Sequence, residues 1–153
     1  MTGELVLQPA DVIIDLKASS RDEALAELAD RLAERRPPVS SDELLRLLLD
    51  RESLGSTGIG EGLAIPHCKS PAITSPVLLF ARSSAGIDFR AVDGRPVHLI
   101  FLLVAPEGAA GLHLKLLARL SRLLKEPMVR TRLMTAATPE EVSLIVGGQE
   151  SRT

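Results

Sequence analysis

Apolar residues recur at helical spacing in three parts of the chain. The first part follows Ser20 and ends before the Pro37-Pro38 pair, the second follows Ser40, and the third covers residues 112–124. Side chains three and four positions apart lie on one face of a helix, so each part predicts a helix with an apolar stripe. The second helix is apolar on much of its circumference, and we expect it to be largely buried. Its apolar residues are Leu44, Leu45, Leu47, Leu48 and Leu49.

Helix starts are marked by a reciprocal capping pattern, in which a hydroxyl accepts from the third helical amide and a Glu side chain reaches back. The pattern occurs three times, as Ser20 with Glu23, Ser40 with Glu43, and Thr138 with Glu141. Pro139 follows the last of these caps, at a position where a helix tolerates proline. A further short helix is expected after Pro127. The sequence therefore predicts five helices.

Four stretches between the helices predict β-strands, namely residues 12–16, 63–65 or a little beyond, 77–81, and 97–104. The last stretch is apolar at almost every position, which is typical of a strand covered on both faces. Helices that alternate with such strands predict the α/β class. We therefore expect a single domain over residues 1–153, with a central mixed β-sheet flanked by helices on both faces.

The composition narrows the function classes. Eighteen basic and twenty acidic residues give a net charge of −2 without a basic run, which argues against a nucleic-acid partner. The chain has no Trp or Tyr and three Phe, so stacking of bases or sugars on aromatic rings is nearly excluded. The longest apolar run, residues 99–105, is far shorter than the roughly 18 residues of a membrane span, and the N-terminus does not resemble a signal peptide. Together with a single cysteine, Cys68, these features predict a cytoplasmic protein.

The glycine-rich stretch GSTGIGEG, residues 55–62, resembles a phosphate-binding loop at first sight. It fails the P-loop test because Gly60 is followed by Glu61 and Gly62 instead of Lys and a hydroxyl residue. It also fails the dinucleotide test because position 63 is Leu63 and the predicted order is helix, loop, strand. On the glycines alone, the simpler interpretation is a helix C-terminal cap at Gly55 and a tight crossover.

The residues around this loop favour a different anion site. Arg51, Ser56, Thr57 and His67 supply a guanidinium, two hydroxyls and an imidazole within seventeen positions. Such a set is suited to a phosphoryl group and requires neither a metal nor a nucleotide.

His67 follows Pro66, which lacks a backbone donor and therefore suits the edge or end of a strand. A histidine there can face solvent, and a neutral imidazole is a competent nucleophile near pH 7. Taken alone, the alternative of a structural or plain surface histidine stays open.

His113 lies in the first turn of the third apolar helix, where helix N-termini attract anions. It is interpreted either as a half-buried histidine at the edge of the core or as a second ligand of the same anion. His98, within the strand VHLIFLLVA, is expected to be a packed or edge residue. The spacing of the histidines and Cys68 does not match a zinc site, and we expect no metal. Because neighbours on a strand face opposite ways, Cys68 is expected to be a buried small hydrophobe instead of a partner of His67.

The segment RESLGSTGIGEGLAIPHCK, residues 51–69, resembles the active-site segment of the fructose/mannitol-type enzyme IIA domains of the bacterial phosphoenolpyruvate-dependent sugar phosphotransferase system. Stand-alone nitrogen-regulatory proteins belong to the same family. The stretches SSRDEALAELADRL, GIDFRAVDGRPVHLIFLLVAPEG and HLKLLARLSRLL are also similar to parts of this family, so the resemblance covers about residues 5–146. Cys68 departs from the family pattern, in which glycine is expected after the active histidine.

The resemblance implies a phosphotransferase that carries a phosphoryl group on His67. The group would come from the histidine phosphocarrier protein and pass to a cysteine of an enzyme IIB domain, with His113 and Arg51 stabilising it. Ser56 and Thr57, with Gly58 and Gly60, would form the loop beside the group. No cofactor, metal or nucleic acid is implied, and a membrane permease would be reached only through IIB. Because donor and acceptor are proteins, we expect an apolar rim, formed in part by Ile59, Gly62, Leu63 and Ala64.

Two roles are compatible with this resemblance. One is uptake of a fructose- or mannitol-like sugar, which the appearance of residues 86–108 slightly favours. The other is a nitrogen-regulatory type of protein, in which phosphorylation of His67 controls contacts with regulatory protein targets and no sugar is transported.

Overall fold

The computed structural model describes residues 6–151, and the side chains of residues 6–147. Residues 1–5 and 152–153, which complete the predicted domain, lie outside the described residues. The strands are β1 (Val12–Ile13), β2 (Gly58–Gly60), β3 (Leu63–Ala64), β4 (His67–Ser70), β5 (Val77–Ile87) and β6 (Val97–Pro106). The helices are α1 (Arg21–Arg35), α2 (Ser41–Ser53), α3 (Ala110–Leu124), α4 (Pro127–Thr135) and α5 (Pro139–Ser151), and a short 3-10 turn (Pro9–Asp11) precedes β1.

The strands form one mixed, open sheet in the order β1-β5-β6-β3-β2, and β4 pairs with β6 beyond the end of β3. The β5–β6 and β2–β3 pairs are antiparallel, whereas β1 runs parallel to β5, and β3 and β4 run parallel to β6. Strand β6 therefore lies in the middle of the sheet, and the other strands are arranged around it.

The apolar run of β6 serves two hydrophobic cores. Leu102 and Val104 pack in the core that α1 and α2 form on one face of the sheet. Phe101 and Leu103, which alternate with them, pack on the other face with α3, α4 and α5. The predicted central sheet with helices on both faces is thus confirmed.

The hydroxyl half of each of the three predicted capping patterns is present, and among the described residues a returning Glu arm is seen in the first. The Ser20, Ser40 and Thr138 hydroxyl oxygens accept from backbone amides three residues later, at 3.2, 3.3 and 3.2 Å. The returning arm of the first cap reaches one residue further than predicted, because the Glu23 carboxylate accepts from the backbone amide and hydroxyl of Ser19. These hydrogen bonds lower the pKa of Glu23.

Helix α2 is less buried than the sequence predicted. Leu44 and Leu48 are each 1% exposed, but the leucines between them stay partly exposed. The physical reason is that α2 packs only through one face, against α1 and β4. One of the partly exposed leucines, Leu47, borders the candidate site described below.

The strand that carries His67 is interrupted at Pro66. Ala64 pairs with Ile100 and His67 pairs with Leu103, so β3 and β4 keep one register against β6 on both sides of the break. Pro66 has no amide to donate, and its carbonyl accepts from the Leu103 amide at 3.0 Å. His67 consequently becomes the first residue of β4, held against the most buried strand of the sheet.

The strands differ from the prediction in several places: β2 was not predicted, and β6 continues to Pro106, two residues beyond the predicted end. Strand β1 ends at Ile13 because only Val12 and Ile13 pair with β5. Strand β5 continues to Ile87, beyond the predicted residue 81, with a register shift between Arg82 and Ile87. Within residues 6–151, every helix falls short of the length and apolar character that a membrane crossing requires.

Candidate active site

His67 and His113 meet at one end of the sheet. His67 is the first residue of β4, and His113 lies in the first turn of α3. The two ring centroids are 5.3 Å apart and the ring planes are perpendicular. The structure therefore brings together two histidines that are 46 positions apart in the sequence.

The hydrogen bonds of His67 fix its tautomer. Its Nδ1 lies 2.8 Å from the Ile65 carbonyl oxygen. A carbonyl oxygen can only accept, so Nδ1 carries the proton and donates. Nε2 then carries the lone pair, and Nε2 is the atom available to attack an electrophile.

Arg51 lies beside this nitrogen. It is in the last turn of α2, and its Nε is 3.4 Å from the His67 Nε2. Its Nη1 donates to the Gly55 carbonyl oxygen at 2.9 Å, so the loop after α2 anchors the guanidinium. A planar guanidinium next to a nucleophilic nitrogen is well placed to bind the oxygens of an incoming phosphoryl group.

His113 is buried without a hydrogen-bond partner. Its side chain is 5% exposed, and within the described part of the chain neither ring nitrogen finds a partner. Buried polar atoms are rarely left unpaired, and such an exception needs an explanation. Because His113 lines the same cavity as His67, its ring nitrogens are placed to contact a group bound there.

Both imidazoles are held in the neutral form. Burial lowers the pKa of His67, and Arg51 adds to this effect, while the Ile65 carbonyl and the Glu52 carboxylate oppose it. Burial is also the main cause that lowers the pKa of His113, with smaller contributions from His67 and Lys69. A neutral His67 retains its nucleophilic lone pair near neutral pH.

A cavity of about 470 Å³ opens over these residues, between α2, β4 and the start of α3. Its border is apolar: Leu54 is 84% exposed and Leu114 is 69% exposed, and both line the cavity. Leu47 and Leu117 extend the apolar lining, and Asp50 and Lys69 add one charge of each sign. Exposed leucines grouped around a reactive histidine are typical of a surface on which another protein docks.

The apolar rim predicted from the sequence is wrong, because none of Ile59, Gly62, Leu63 and Ala64 is among the described residues that line the cavity. Leu63 is 3% exposed and Ala64 is fully buried, because both lie in β3 between β2 and β6. Leu54 and Leu114 form the observed rim instead. A usable indication in the sequence was Leu114, an apolar residue that lies outside the apolar stripe of its helix.

The predicted loop residues lie behind the site and not at the cavity surface. The Ser56 hydroxyl donates to the Phe89 carbonyl oxygen, and the Thr57 hydroxyl donates to the Glu52 carboxylate. Gly58 packs against Ala91 so closely that a Cβ atom would lie 2.9 Å from the Ala91 Cβ. Gly60 has φ +96°, a conformation that favours glycine. None of these four residues is among the described residues that line the cavity.

Two other candidate residues pack into the protein, and one of them, Cys68, also reaches the lining of the cavity. Cys68 is 9% exposed and packs in the core between α1, α2 and the sheet, and its burial raises the pKa of the thiol to about 12. The expectation of a buried small hydrophobe is thereby confirmed. His98 is half-buried, and its Nδ1 lies 2.9 Å from the Ser83 carbonyl oxygen, as expected of a packed residue.

Glu52 was not singled out from the sequence. It is 4% exposed and accepts from both the backbone amide and the hydroxyl of Thr57. In the sequence it resembles an ordinary carboxylate at the end of an amphipathic helix, and no local pattern distinguishes it.

Comparison with known proteins supports one family. The family described as "Phosphoenolpyruvate-dependent sugar phosphotransferase system, EIIA 2" matches residues 5–147. A nitrogen regulatory protein of Pseudomonas aeruginosa is 37% identical over 94% of this chain and 93% of its own length. A fructose-specific EIIA component of Haloferax volcanii is 34% identical and covers 93% of each chain.

Solved structures agree with these relatives. The nitrogen regulatory protein IIA-Ntr from Neisseria meningitidis matches with a TM-score of 0.87 and 34% identity, over 92% of this chain and 96% of that one. The fold is shared by the Escherichia coli mannitol enzyme IIA in its complex with phosphorylated enzyme IIB, with a TM-score of 0.77 and 20% identity, over 94% of this chain and 99% of that one. Family match, relatives and fold lead to the same conclusion: the chain belongs to the type-2 EIIA family of the phosphotransferase system, whose members are phosphoryl-transfer components.

Proposed function

We propose that this protein carries a phosphoryl group on Nε2 of His67, accepting it from the histidine phosphocarrier protein and passing it to a cysteine of an enzyme IIB domain. One observation carries the proposal. The Nδ1–H of His67 is engaged by the Ile65 carbonyl, so the remaining nitrogen faces a cavity that also contains Arg51 and His113.

The transfer requires two similar displacement steps. In the first, the Nε2 lone pair of His67 forms an N–P bond while the N–P bond of the donor phosphohistidine breaks, and the donor imidazole keeps that electron pair. In the second, the partner's thiolate attacks phosphorus, and the electron pair of the N–P bond returns to Nε2. Each step is mainly a matter of positioning and of charge stabilisation, and no metal or nucleotide takes part.

Arg51 and His113 supply that stabilisation. The Arg51 guanidinium lies next to Nε2, where it can hold the phosphoryl oxygens by paired N–H donors. His113, which has no other described partner, donates from a ring nitrogen to the same group. We assign Ser56, Thr57, Gly58 and Gly60 the task of shaping the wall behind the phosphoryl group, since their observed contacts are to the protein itself.

The enclosing surface fits protein partners. Leu54 and Leu114 are exposed at the cavity mouth, so a docking protein buries them as it delivers or removes the group. The mannitol enzyme IIA of the same fold was solved with its IIB partner, which supports an enzyme IIB as acceptor.

The cellular role has two candidates. The relatives named for fructose favour uptake of a fructose- or mannitol-like sugar, in which IIB feeds a permease. The nitrogen regulatory relatives, and the TM-score of 0.87 to IIA-Ntr, favour control of protein targets by the phosphorylation state of His67.

The central test is phosphorylation from phosphoenolpyruvate in the presence of enzyme I and phosphocarrier. We expect one acid-labile, base-stable phosphate on the wild type and none on His67→Ala, with His98→Ala as the matched control. Absence of label on the wild type, or label on His67→Ala, would overturn the proposal.

A second experiment separates the two roles. Phosphorylated protein is mixed with IIB domains of the fructose and mannitol type, and the label on the IIB cysteine is followed. Rapid passage supports sugar uptake, whereas a stable label on His67 with every IIB supports the regulatory role.

A further inference from the structure

Glu52 is a buried carboxylate without a cationic partner. Asp11, which is similarly buried, lies 2.9 Å from Arg35 and 3.0 Å from Arg36. Among the described residues, no ion pair within 4.0 Å involves Glu52. Burying a carboxylate without a cationic partner costs free energy. Because Glu52 lies beside the candidate active site, we examine its contacts for a role there.

Both oxygens of this carboxylate bind one residue. Oε1 accepts from the Thr57 backbone amide at 3.1 Å, and Oε2 accepts from the Thr57 hydroxyl. The two hydrogen bonds clamp the segment after α2 against the last turn of that helix. Thr57 is therefore fixed at its backbone and at its side chain together.

From Thr57 the connection continues to the imidazole of His67. The Thr57 carbonyl oxygen accepts from the Ile65 amide at 3.0 Å, and the Ile65 carbonyl oxygen accepts from the His67 Nδ1 at 2.8 Å. Since the N–H and the C=O of Ile65 belong to different peptide groups, this connection transmits position and not a proton. Its far end is the hydrogen bond that sets the tautomer of His67.

The same clamp also supports Arg51. The Gly55 amide donates to the Glu52 carbonyl oxygen at 3.1 Å, and the Gly55 carbonyl accepts from Arg51 Nη1 at 2.9 Å. A loosened segment 54–57 would release this anchor. Glu52 thus holds this segment at two points: its carboxylate binds Thr57, and its backbone carbonyl binds Gly55, which anchors the guanidinium.

We propose that Glu52 is a positioning residue for phosphoryl transfer: through Thr57 and Ile65 it keeps His67 in the Nδ1–H tautomer, with Nε2 held beside Arg51. This inference rests on the proposed function of His67. A further contribution is electrostatic, because the imidazole ring gains positive character when Nε2 bonds to phosphorus and Nδ1 keeps its proton. The nearby Glu52 carboxylate stabilises the positive charge on the ring. It raises the pKa of His67, which burial lowers.

Glu52→Gln removes the charge and keeps the size of the side chain. We expect the Nδ1–H tautomer of unphosphorylated His67 to become less dominant in ring ¹⁵N NMR spectra, and the His67 pKa to fall in an NMR titration. The variant leaves the other charged and titratable side chains around the cavity unchanged, namely Asp50, Arg51, Lys69 and His113. Phosphorylation from the phosphocarrier should slow about tenfold, the lower end of the effect known for orienting partners of metal-bound histidines.

Two comparisons separate positioning from a general loss of stability. Asp11→Asn alters the other buried carboxylate, and it should lower the free energy of unfolding without changing the tautomer or pKa of His67. Thr57→Val removes the hydroxyl donor and should shift the His67 tautomer in the same direction as Glu52→Gln, whereas Thr57→Ser should behave as wild type. If Glu52→Gln does not fold, the Thr57 pair decides the matter.

The inference fails if Glu52→Gln, or Thr57→Val in its place, has the tautomer, the pKa and the phosphorylation rate of the wild type. This outcome differs from a failure of the proposed function, in which wild-type His67 takes up no label. The tautomer and titration measurements use unphosphorylated protein, so they test the role of Glu52 whether or not His67 is phosphorylated.

Discussion

The rings of His67 and His113 lie edge to face, 5.3 Å apart, at the floor of one cavity. His67 has a hydrogen bond to its own strand, whereas His113 has no partner among the described residues. The pair is therefore asymmetric: His67 Nε2 accepts from the Arg51 Nε at 3.4 Å and is the nitrogen placed for bond formation, whereas both ring nitrogens of His113 are available for contact. The first prediction follows from this asymmetry.

His113→Gln should slow onward transfer from phosphorylated protein by about 100-fold, because it removes a preorganised donor to the transferring group. The free energy of unfolding should fall by only about 1 to 2 kcal/mol, as for an ordinary buried substitution. Rapid-quench transfer assays and urea unfolding measure the two effects. His98→Gln, at a half-buried histidine away from the cavity, is the control; a grossly unfolded His113→Gln would indicate a structural role instead.

Arg51→Met should also reduce the rate of phosphorylation by on the order of 100-fold, since its guanidinium is the group nearest the His67 Nε2. Arg51→Lys should recover only part of the rate because an ammonium group lacks the paired donors of a guanidinium. Arg46→Met, at an exposed position of α2, should have the wild-type rate. Equal rates for Arg51→Met and wild type would contradict this assignment.

Stability should depend on pH through the two histidines. Burial lowers the pKa of both below the usual 6.5, so below that pH the unfolded chain binds more protons than the folded protein. The free energy of unfolding should therefore decrease as the pH falls from about 7.5, one unit above the unfolded-state pKa, through the folded-state pKa values, and these groups should contribute almost no slope above about 7.5. Urea unfolding between pH 5 and pH 8 tests this. The decrease in the free energy of unfolding should be smaller in His113→Gln. An unchanged decrease would contradict the assignment of part of this pH dependence to His113.

The exposed leucines at the cavity should contribute to binding of the partner protein and not to the stability of the fold. Leu114→Asp should reduce kcat/KM for phosphorylation by the phosphocarrier by about tenfold, since interface anchors are typically worth 1 kcal/mol or more. Its unfolding free energy should change little because Leu114 is 69% exposed. Leu144→Asp alters an equally exposed leucine of α5, away from the cavity, and should leave kcat/KM unchanged. Similar losses in both variants would argue against a docking surface at the cavity.

Cys68 should be unreactive in the folded protein. Burial raises the pKa of its thiol to about 12, so the thiolate is scarce at pH 8. Alkylation by iodoacetamide should be slower than in urea-unfolded protein by on the order of 100-fold or more. Mass spectrometry of the two samples measures the ratio. Fast alkylation of the native protein would show that the cavity gives access to the thiol.

The sequence predicts most of the fold because the decisive patterns are local. The near-continuous apolar run of β6 predicts a strand covered on both faces, and Pro66 predicts that His67 stands at a strand end. The extent of β1 and β5 was not predictable in the same way. Where a strand ends depends on how many residues find a partner across the sheet, and the sequence of one strand does not contain that information.

The sequence pointed to side chains that the structure groups at one cavity, but it did not predict what surrounds them. Arg51, His67 and His113 were identified from the resemblance and from their chemical types, and the structure brings them together. Glu52 and Leu54 were missed because their environments depend on the path of the chain after α2. A carboxylate at the end of a helix is normally solvated, and only the return of Thr57 over it makes Glu52 a buried group.

The position of His67 at one cavity has a kinetic consequence. If His67 carries a phosphoryl group as proposed, a donor protein and an acceptor protein both need the surface around Leu54 and Leu114, so they cannot occupy it at the same time. The donor must leave before the acceptor arrives, and the phosphorylated protein must exist free in solution between the two encounters. Its concentration then reports the balance between supply and demand of phosphoryl groups, which is a quantity that a third protein can read.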